Sequence, residues 1–260
     1  MHDSNKLCFQ RSNVCHRLGA DDGIAMRVLY VDTEHKRVHD HPEAGSRHHV
    51  RLAETTDRLE RIAGAPAELL GFAEVSPARI AQSSPAAIII GGNTTDWGEF
   101  DFQEMAGLLE VIRAAPAPIL GICAGHQLVG YAHHATWGPL GPLQHLEVDP
   151  DPRFAPGQRK QCGFHAVQLD ARCALFRGLD ATAVLFQSHY WQLDDVPQGF
   201  AVRASSPWSA IQAIERMDRP VFGVQFHPER YDAAHPHGAV IMRNFIALAR
   251  DHDIGEHIVP

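Results

Sequence analysis

The amino-acid sequence predicts an α/β fold in which helices cover both faces of a mostly parallel β-sheet. Two observations lead to this prediction. Short and almost uninterrupted apolar runs, which are typical of buried strands, alternate in the first half of the chain with segments whose apolar residues recur at helical spacing. Two of these runs, residues 85–92 and 118–122, contain glycine at or near their ends, where a parallel strand turns toward its next helix.

The elements of the first half follow from the same two patterns. Residues 85–92 contain three consecutive isoleucines closed by a glycine pair and form the clearest strand in the chain. The apolar runs predict strands at residues 26–32, 69–75, 85–92 and 118–122. The helical spacing predicts helices at residues 51–63, 100–114 and 124–133.

The second half of the chain predicts strands in quick succession, joined by short turns, and then one helix. These strands cover residues 164–169, 184–187, 200–204, 210–214 and 221–226, and the helix covers residues 238–250. We find no internal repeat and no break in composition, so we expect a single domain over residues 26–252. Residues 1–25 lack the apolar stretch of a signal peptide and are interpreted as a poorly ordered extension, and residues 253–260 as a tail.

Composition excludes several classes of function. The chain has 23 Lys and Arg against 31 Asp and Glu, a formal net charge of −8, so we do not expect it to bind nucleic acid or an anionic membrane. No apolar run is long enough to span a membrane. The five cysteines are odd in number and form no C-x-x-C pair, which argues against disulfides and predicts a cytoplasmic location.

The eighteen histidines of the chain raise the question of a metal site. The clusters His39-Asp40-His41 and His48-His49 lie in a polar stretch that contains proline and glycine, and we interpret this stretch as a surface loop with solvated histidines. The glycine pair at residues 91–92 is not followed by Lys-Ser/Thr, so no phosphate-binding loop is indicated. The sequence therefore predicts neither a metal nor a cofactor.

The first segment that indicates chemistry is the turn after the strand at residues 118–122. Gly121 and Gly125 flank Cys123 in a G-x-C-x-G pattern between a buried strand and a helix. A chain that reverses so sharply strains its central residue and leaves no room for side chains two positions away, so both glycines are required. The cysteine sulfur would lie at the carboxyl edge of the sheet, beside a helix N-terminus that stabilises a thiolate and an oxyanion. A buried structural cysteine is the alternative interpretation.

The second such segment follows the apolar strand at residues 221–226. His227 and Glu229 lie two residues apart, so in an extended chain their side chains share a face. Pro228 favours extended backbone at His227 and helps to end the strand. A carboxylate beside an imidazole fixes its tautomer and stabilises its charged form. Together with Cys123 these residues supply a nucleophile, a base and an orienting group, whereas alone they would indicate a surface turn.

Residues 121–127 (GICAGHQ) and 223–229 (GVQFHPE) resemble the two catalytic segments of class I glutamine amidotransferases of the triad type. Residues 188–189, 197–204, 212–215 and 243–245 resemble the glutaminase domain of GMP synthase within that family. The resemblance covers residues 26–251 and implies a flavodoxin-like three-layer αβα sandwich. It further implies that the protein cleaves L-glutamine, or a related γ-glutamyl compound, and forms a γ-glutamyl thioester.

The resemblance also assigns roles to individual residues. It makes Cys123 the nucleophile, His227 the acid and base, and Glu229 its partner. The oxyanion would be bound by backbone N–H groups of Gly92 and Ala124. The residues that the resemblance places around the substrate are Gly91, Gln127, Ser188, His189 and Tyr190.

Two segments depart from the family pattern. Asn93 follows the glycine pair where the family usually has proline, and residues 135–142 lack the usual Gly-Gly and Val. Trp97 and Trp137, which lie in or near these segments, would shape the outer wall of the pocket or pack as ordinary half-buried aromatic residues. These departures leave the cysteine chemistry intact and leave the substrate open.

Four functions remain open from the sequence. The first is a glutaminase that delivers ammonia to a separate synthetase partner, since the chain shows no second active site. The second is a free-standing γ-glutamyl hydrolase or transferase that uses the same thioester. The third is a catalytically silent regulatory subunit, which the presence of Cys123, His227 and Glu229 disfavours. The fourth is a protein of the DJ-1/PfpI type, which shares the cysteine turn but lacks such a distant His-Pro-Glu segment.

Overall fold

The computed structural model describes residues 26–257. The predicted extension at residues 1–25 lies outside the described residues, as do residues 258–260 of the predicted tail. Within the described part, a nine-stranded sheet is flanked by six α-helices, which confirms the predicted flavodoxin-like fold with its mostly parallel sheet. None of the described helices has an apolar stretch that could cross a bilayer.

Five parallel strands form one side of the sheet, in the order β2-β1-β3-β4-β11. The residues of the four inner strands are all buried, because helices pack on both faces of a parallel sheet, whereas the edge strand β2 buries only Leu70. In chain order these strands are β1 (Val28–Asp32), β2 (Ala67–Gly71), β3 (Ala87–Ile90), β4 (Ile119–Ile122) and β11 (Val221–Val224).

Four antiparallel strands extend the sheet beyond β11 in the order β10-β9-β6-β7. They are β6 (Gln161–Leu169), β7 (Thr182–His189), β9 (Phe200–Ser205) and β10 (Ala213–Arg216). The predicted strand at residues 210–214 is shifted toward the C-terminus, where β10 pairs with β9 across an irregularity at Ala213. A separate antiparallel pair, β5 (Trp137–Pro139) and β8 (Trp191–Leu193), was not predicted because each strand has only three residues.

The helices are α1 (Lys36–His39), α2 (Pro42–Ala63), α3 (Pro77–Ser83), α4 (Ala106–Ala114), α5 (Ala124–Ala132) and α6 (His237–His257). The core consists of two apolar clusters, one on each face of the sheet. Alternate residues of β1 contribute to each: Val28 and Tyr30 belong to one cluster, and Leu29 and Val31 belong to the other. This alternation follows from the two-residue period of a strand. Helix α6 continues through residues 253–257, which were expected to form a tail.

The interpretation of residues 39–49 as a surface loop is wrong. Helix α2 begins at Pro42, and the side chain of His41 accepts a hydrogen bond from the backbone N–H of Ala44 at 3.2 Å. Proline at the first position of a helix is favourable, because its fixed φ suits the helix and the missing N–H is not needed there. His48 therefore lies in a helix and is buried, with an exposed fraction of 7%.

Candidate active site

Cys123 occupies the turn between β4 and α5, and its backbone is in the left-handed region (φ 54°, ψ −103°). A Cβ on Gly121 would lie 2.4 Å from the carbonyl oxygen of Gly125, and a Cβ on Gly125 would lie 2.2 Å from the carbonyl oxygen of Ile90. Both contacts are with backbone atoms, which cannot move aside without moving a strand or a helix. The prediction that this turn requires both glycines is confirmed.

The sulfur of Cys123 is enclosed, and the residue has an exposed fraction of 5%. Its thiol lies 3.7 Å from the carbonyl oxygen of Ser188, and the side-chain amide of Gln225 donates toward the sulfur at the same distance. Cys123 also immediately precedes α5, a nine-residue helix whose N-terminal dipole favours negative charge on the sulfur.

The imidazole of His227 is held by Glu229, with 2.7 Å between Nδ1 and Oε1. Both side chains are nearly buried, with exposed fractions of 11% and 8%. Gly92 adjoins both the base and the cysteine: a Cβ on it would be 3.0 Å from Cε1 of His227 and 3.2 Å from Cβ of Cys123. The strand end after β11 and the turn after β4 thus bring Cys123, His227 and Glu229 together.

The charge state of His227 follows from its neighbours. Burial of the imidazole opposes its charge, but the negative charges of Glu229 and of the Cys123 sulfur outweigh burial and raise the pKa of His227 to about 10. A hydrogen bond with the Cys123 side chain also contributes to this shift of the His227 pKa. The imidazolium form therefore predominates at neutral pH.

The two residues whose backbone N–H groups are predicted to bind an oxyanion both adjoin Cys123. Ala124 is the first residue of α5, and Gly92 follows β3 and touches both Cys123 and His227. Neither N–H donates to a backbone acceptor among the described residues. Unpaired N–H groups at a helix start and in an adjacent loop form the usual geometry of an anion site.

A cavity of about 350 Å³ opens beside these groups. Ser188, Gly92, His227 and Glu229 line it, and Ser188 is the one predicted substrate-binding residue among them. The far wall of the cavity comes from α2 and from the segment after Glu229. Its charged residues are Arg51, Glu54, Arg58, Arg230 and Asp232, and Glu34, which follows β1, also lines the cavity.

Four of the five residues expected around the substrate lie behind the cavity wall. His189 is buried and contacts the Trp191 carbonyl oxygen at 2.9 Å, and burial lowers its pKa to about 4, so it is neutral. The hydroxyl of Tyr190 donates to Asp96 at 2.6 Å. The carbonyl oxygen of Gly91 accepts a hydrogen bond from the backbone N–H of Gly125 at 3.1 Å, which fixes the loop after β3 to the nucleophile turn.

Gln127, the fourth, connects three segments around the nucleophile turn. Its side-chain oxygen accepts from the indole N–H of Trp97 at 2.7 Å. Its side-chain nitrogen donates to the Trp191 carbonyl at 3.0 Å and to Gln225 at 3.1 Å. With an exposed fraction of 2%, Gln127 supports Gln225, which in turn contacts the Cys123 sulfur.

Three residues of the site were not anticipated from the sequence. Gln225 precedes His227 by two residues, and the same alternation that paired His227 with Glu229 could have identified it. Tyr30 lies against Gly91, where a Cβ would be 2.3 Å from its hydroxyl. Arg58 of α2 donates to the carbonyl oxygens of Glu229 at 3.1 Å and Tyr231 at 2.7 Å, and no local sequence pattern indicates these contacts.

Comparison with known proteins agrees with this geometry. The family model "Glutamine amidotransferase class-I" matches residues 60–248. The GMP synthase (glutamine-hydrolysing) of Lactococcus lactis subsp. lactis is 31% identical over 191 residues, which cover 72% of this chain and 32% of that protein. One of the subunits of the Thermococcus kodakarensis GMP synthase (glutamine-hydrolysing) is 33% identical over 144 residues, which cover 55% of this chain and 66% of that protein. The match thus spans about a third of the L. lactis protein.

Solved structures share the fold. A Thermoplasma acidophilum protein, described as a GMP synthase subunit, superposes with a TM-score of 0.67 at 19% identity, over 90% of this chain and 98% of that chain. A glutamine amidotransferase of Thermotoga maritima superposes with a TM-score of 0.54 at 17% identity, over 91% and 87%. The family model covers most of the chain and includes both segments that meet at Cys123, and the chain therefore belongs to the class I glutamine amidotransferase family.

Proposed function

We propose that the protein hydrolyses the side-chain amide of glutamine, or of a closely related γ-glutamyl compound, through a thioester on Cys123. The observation that carries this proposal is the arrangement around Gly92. A Cβ added to Gly92 would lie 3.0 Å from Cε1 of His227 and 3.7 Å from the Cys123 sulfur, so both side chains adjoin the same backbone position, and Glu229 holds that imidazole at 2.7 Å. A nucleophile, a base and an orienting carboxylate in this order support acyl transfer.

In the first step the Cys123 thiolate attacks the γ-carbonyl carbon, and the carbonyl electrons move to oxygen. The N–H groups of Gly92 and Ala124 would hold this oxyanion, and one such donor contributes about 3 kcal/mol of barrier lowering in comparable enzymes. The C–N bond then breaks as His227 gives its proton to the departing nitrogen. The imidazolium that the raised pKa maintains is the form required for this proton transfer.

In the second step water attacks the thioester. The neutral His227 left by the first step accepts a proton from that water while the oxyanion forms again. The C–S bond breaks and the sulfur leaves as the thiolate, which restores the Cys123–His227 ion pair. The products are glutamate and ammonia, and Glu229 remains ionised throughout as the partner of the imidazolium.

The ammonia would be delivered to a separate synthetase partner. The relative from Thermococcus kodakarensis is named as one of the subunits of a glutamine-hydrolysing GMP synthase, and this name supports a division of the reaction between two chains. The L. lactis relative, in contrast, is about three times as long as the matched region. The site at which the ammonia is used would then lie on the partner chain.

A free-standing γ-glutamyl hydrolase or transferase is the second candidate, and the shape of the cavity favours it. The cavity extends from Ser188 and His227 to charged residues of α2, including Arg51 and Glu54. A γ-glutamyl compound with a charged amine would fill more of this space than glutamine does. Water or an amine would then resolve the same thioester.

The test is ammonia or amine release by the purified chain, offered L-glutamine and then a panel of γ-glutamyl amides. We expect turnover that Cys123→Ala abolishes and that Cys162→Ala, a half-buried cysteine in β6, leaves unchanged. A preference for glutamine supports the glutaminase, and a strong preference for a larger γ-glutamyl amide supports the hydrolase. Turnover that survives in Cys123→Ala would contradict the mechanism for both.

A further inference from the structure

Asp32, His39 and His48 form a cluster of three metal-ligating side chains outside the proposed catalytic residues. One ligand atom from each lies within 4.8 Å of the other two. The Oδ2 atom of Asp32 lies 2.8 Å from Nε2 of His48 and 3.3 Å from Nε2 of His39. Both imidazoles thus present the same nitrogen to a single carboxylate oxygen.

Three different elements bring these residues together. Asp32 is the last residue of β1, His39 is the last residue of α1, and His48 lies in the second turn of α2. Gly45 permits the approach of the two helices, because a Cβ there would lie 2.5 Å from the carbonyl oxygen of His39. The cluster is therefore a product of the tertiary fold rather than of neighbouring positions on one helix.

Outer contacts orient the ligand atoms. Oδ1 of Asp32 accepts the backbone N–H of Glu34 at 3.0 Å, which leaves Oδ2 to face the imidazoles. Nδ1 of His39 lies 3.3 Å from Nε2 of His49. A proton on that Nδ1 can be donated to His49, and Nε2 of His39 then carries the lone pair that a metal requires. Such second contacts are typical of metal-binding imidazoles.

The side chain of Glu34 is engaged elsewhere and does not add a fourth ligand, and one side of the cluster is open to solvent. Both oxygens of Glu34 are occupied, since Thr94 and Thr95 donate to them at 2.7–2.9 Å. Asp32 and His48 are buried, with exposed fractions of 5% and 7%, whereas the side chain of His39 is 32% exposed. A buried carboxylate requires a positive partner, and solvent can reach this one past His39.

We propose that Asp32, His39 and His48 bind one divalent transition-metal ion of the Zn²⁺ class. Ligand atoms around tetrahedral zinc lie about 3.3 Å from one another. The distances from Asp32 Oδ2 to Nε2 of His39 and of His48, 3.3 and 2.8 Å, are close to this value. Two imidazoles select such an ion over Mg²⁺ or Ca²⁺, which prefer oxygen ligands. Because His48 and Glu34 line the cavity beside His227, the ion would lie at the wall of that cavity.

The test is a titration of the full-length chain with Co²⁺, followed by its visible absorption, with Zn²⁺ then displacing the cobalt. We expect a tetrahedral or five-coordinate spectrum at one ion per chain. Asp32→Asn and His48→Gln should each weaken binding by at least about 100-fold, and His49→Gln by about 10-fold. The matched controls are Asp40→Asn and His145→Gln, which change exposed residues and should leave this ion bound.

The comparison among variants separates this site from background binding by the other histidines. Circular dichroism of each metal-free variant checks its folding, and His39→Gln changes the most exposed ligand and so provides the test if a buried variant unfolds. The proposal is overturned if the wild type binds no more cobalt than the folded ligand variants do, which would make the cluster a buried ion pair only. The readout does not depend on glutamine turnover.

Discussion

At the scale of single residues, the proton on His227 is the feature on which the proposed chemistry depends. Two negative groups flank this buried imidazole, Glu229 at Nδ1 and the Cys123 sulfur. Each contributes to the raised pKa, so each should have a separate and measurable effect. The carboxylate also orients the ring, whereas the sulfur is the group that reacts.

Replacement of Glu229 by Gln should reduce turnover less than replacement of His227 by Gln. A glutamine keeps a hydrogen-bonding group beside Nδ1 but removes the charge that stabilises the imidazolium, whereas loss of the imidazole removes the proton carrier. Loss of an orienting group typically costs about 10- to 100-fold less than loss of the base. Steady-state ammonia release from both variants measures the difference, and equal losses would contradict the assigned roles.

Replacement of Cys123 by Ser should lower the pKa of His227 from about 10 toward its ordinary value of 6.5. The neutral hydroxyl removes one of the two negative charges that favour the imidazolium. NMR titration of the labelled imidazole measures this pKa in both proteins. An unchanged pKa would show that the sulfur carries no charge in the folded protein.

The same shift has a consequence for stability. The pKa of His227 is higher in the folded than in the unfolded chain, so its protonation stabilises the fold fully below pH 6.5 and loses this effect as the pH rises through about 10. In Cys123→Ser the loss should occur at lower pH. The free energy of unfolding, determined by urea denaturation of both proteins at several pH values above 7, measures this loss of stability.

At the scale of elements, the nucleophile turn depends on close contact between two backbones. Gly125, in the first turn of α5, packs against Ile90 of β3, and Gly121, near the end of β4, packs against the backbone of α5 at Gly125. The sequence pattern was sufficient to predict this turn because both glycines lie within five residues, although the contact that requires Gly125 is made with Ile90 of β3. The positive φ of Cys123 is maintained by these contacts, since a cysteine does not favour that region by itself.

Gly125→Ala should destabilise the protein and abolish turnover. The added Cβ would lie 2.2 Å from the Ile90 carbonyl oxygen, so α5 or β3 must shift. Overpacking of this kind costs about 1–3 kcal/mol of unfolding free energy, which urea denaturation measures.

The matched control is Gly138→Ala, whose Cβ would lie 3.1 Å from the exposed carboxylate of Asp194, a group that can move aside. The control should stay within about 0.5 kcal/mol of the wild type. Equal effects of the two substitutions would show that the turn tolerates a side chain at Gly125.

At the scale of the whole molecule, helix α2 holds the segment that follows the catalytic pair. The guanidinium of Arg58 donates to the carbonyl oxygens of Glu229 and Tyr231 and lies 4.8 Å from the Tyr231 ring centroid. These contacts join residues more than 170 positions apart in the chain. Without them two carbonyl groups beside the cavity would lose their donor.

Arg58→Met should therefore lower the unfolding free energy by about 1.5–3 kcal/mol, the range for a hydrogen bond to a charged group, and reduce kcat by loosening Glu229. Arg47→Met, on the same helix, removes an exposed arginine whose partner Glu43 is 3.6 Å away, and should have little effect. Urea denaturation and ammonia release compare the two. Identical behaviour would show that α2 does not support the site.

These cases also show which contacts can be predicted from sequence. Cys123 and His227 could be identified because each lies in a short segment whose local geometry fixes its environment, and the chemistry of the two segments is complementary. Sequence alone could not predict the contact of Arg58 with Glu229 or the convergence of His39 and His48 on Asp32. They depend on where a long helix lies in the fold, and Pro42 and Gly45 made the start of that helix resemble a loop.

The most direct measurement of the central claim is covalent labelling with a diazoketone analogue of glutamine, located by peptide mass spectrometry. Such an analogue fits a γ-glutamyl site and alkylates the nucleophile that would attack the amide. We predict one label per chain, on Cys123, which excess glutamine prevents and which is absent from Cys123→Ala. Labelling of Cys162 or Cys173 at the same rate, or a label that glutamine does not prevent, would contradict the proposed role of Cys123.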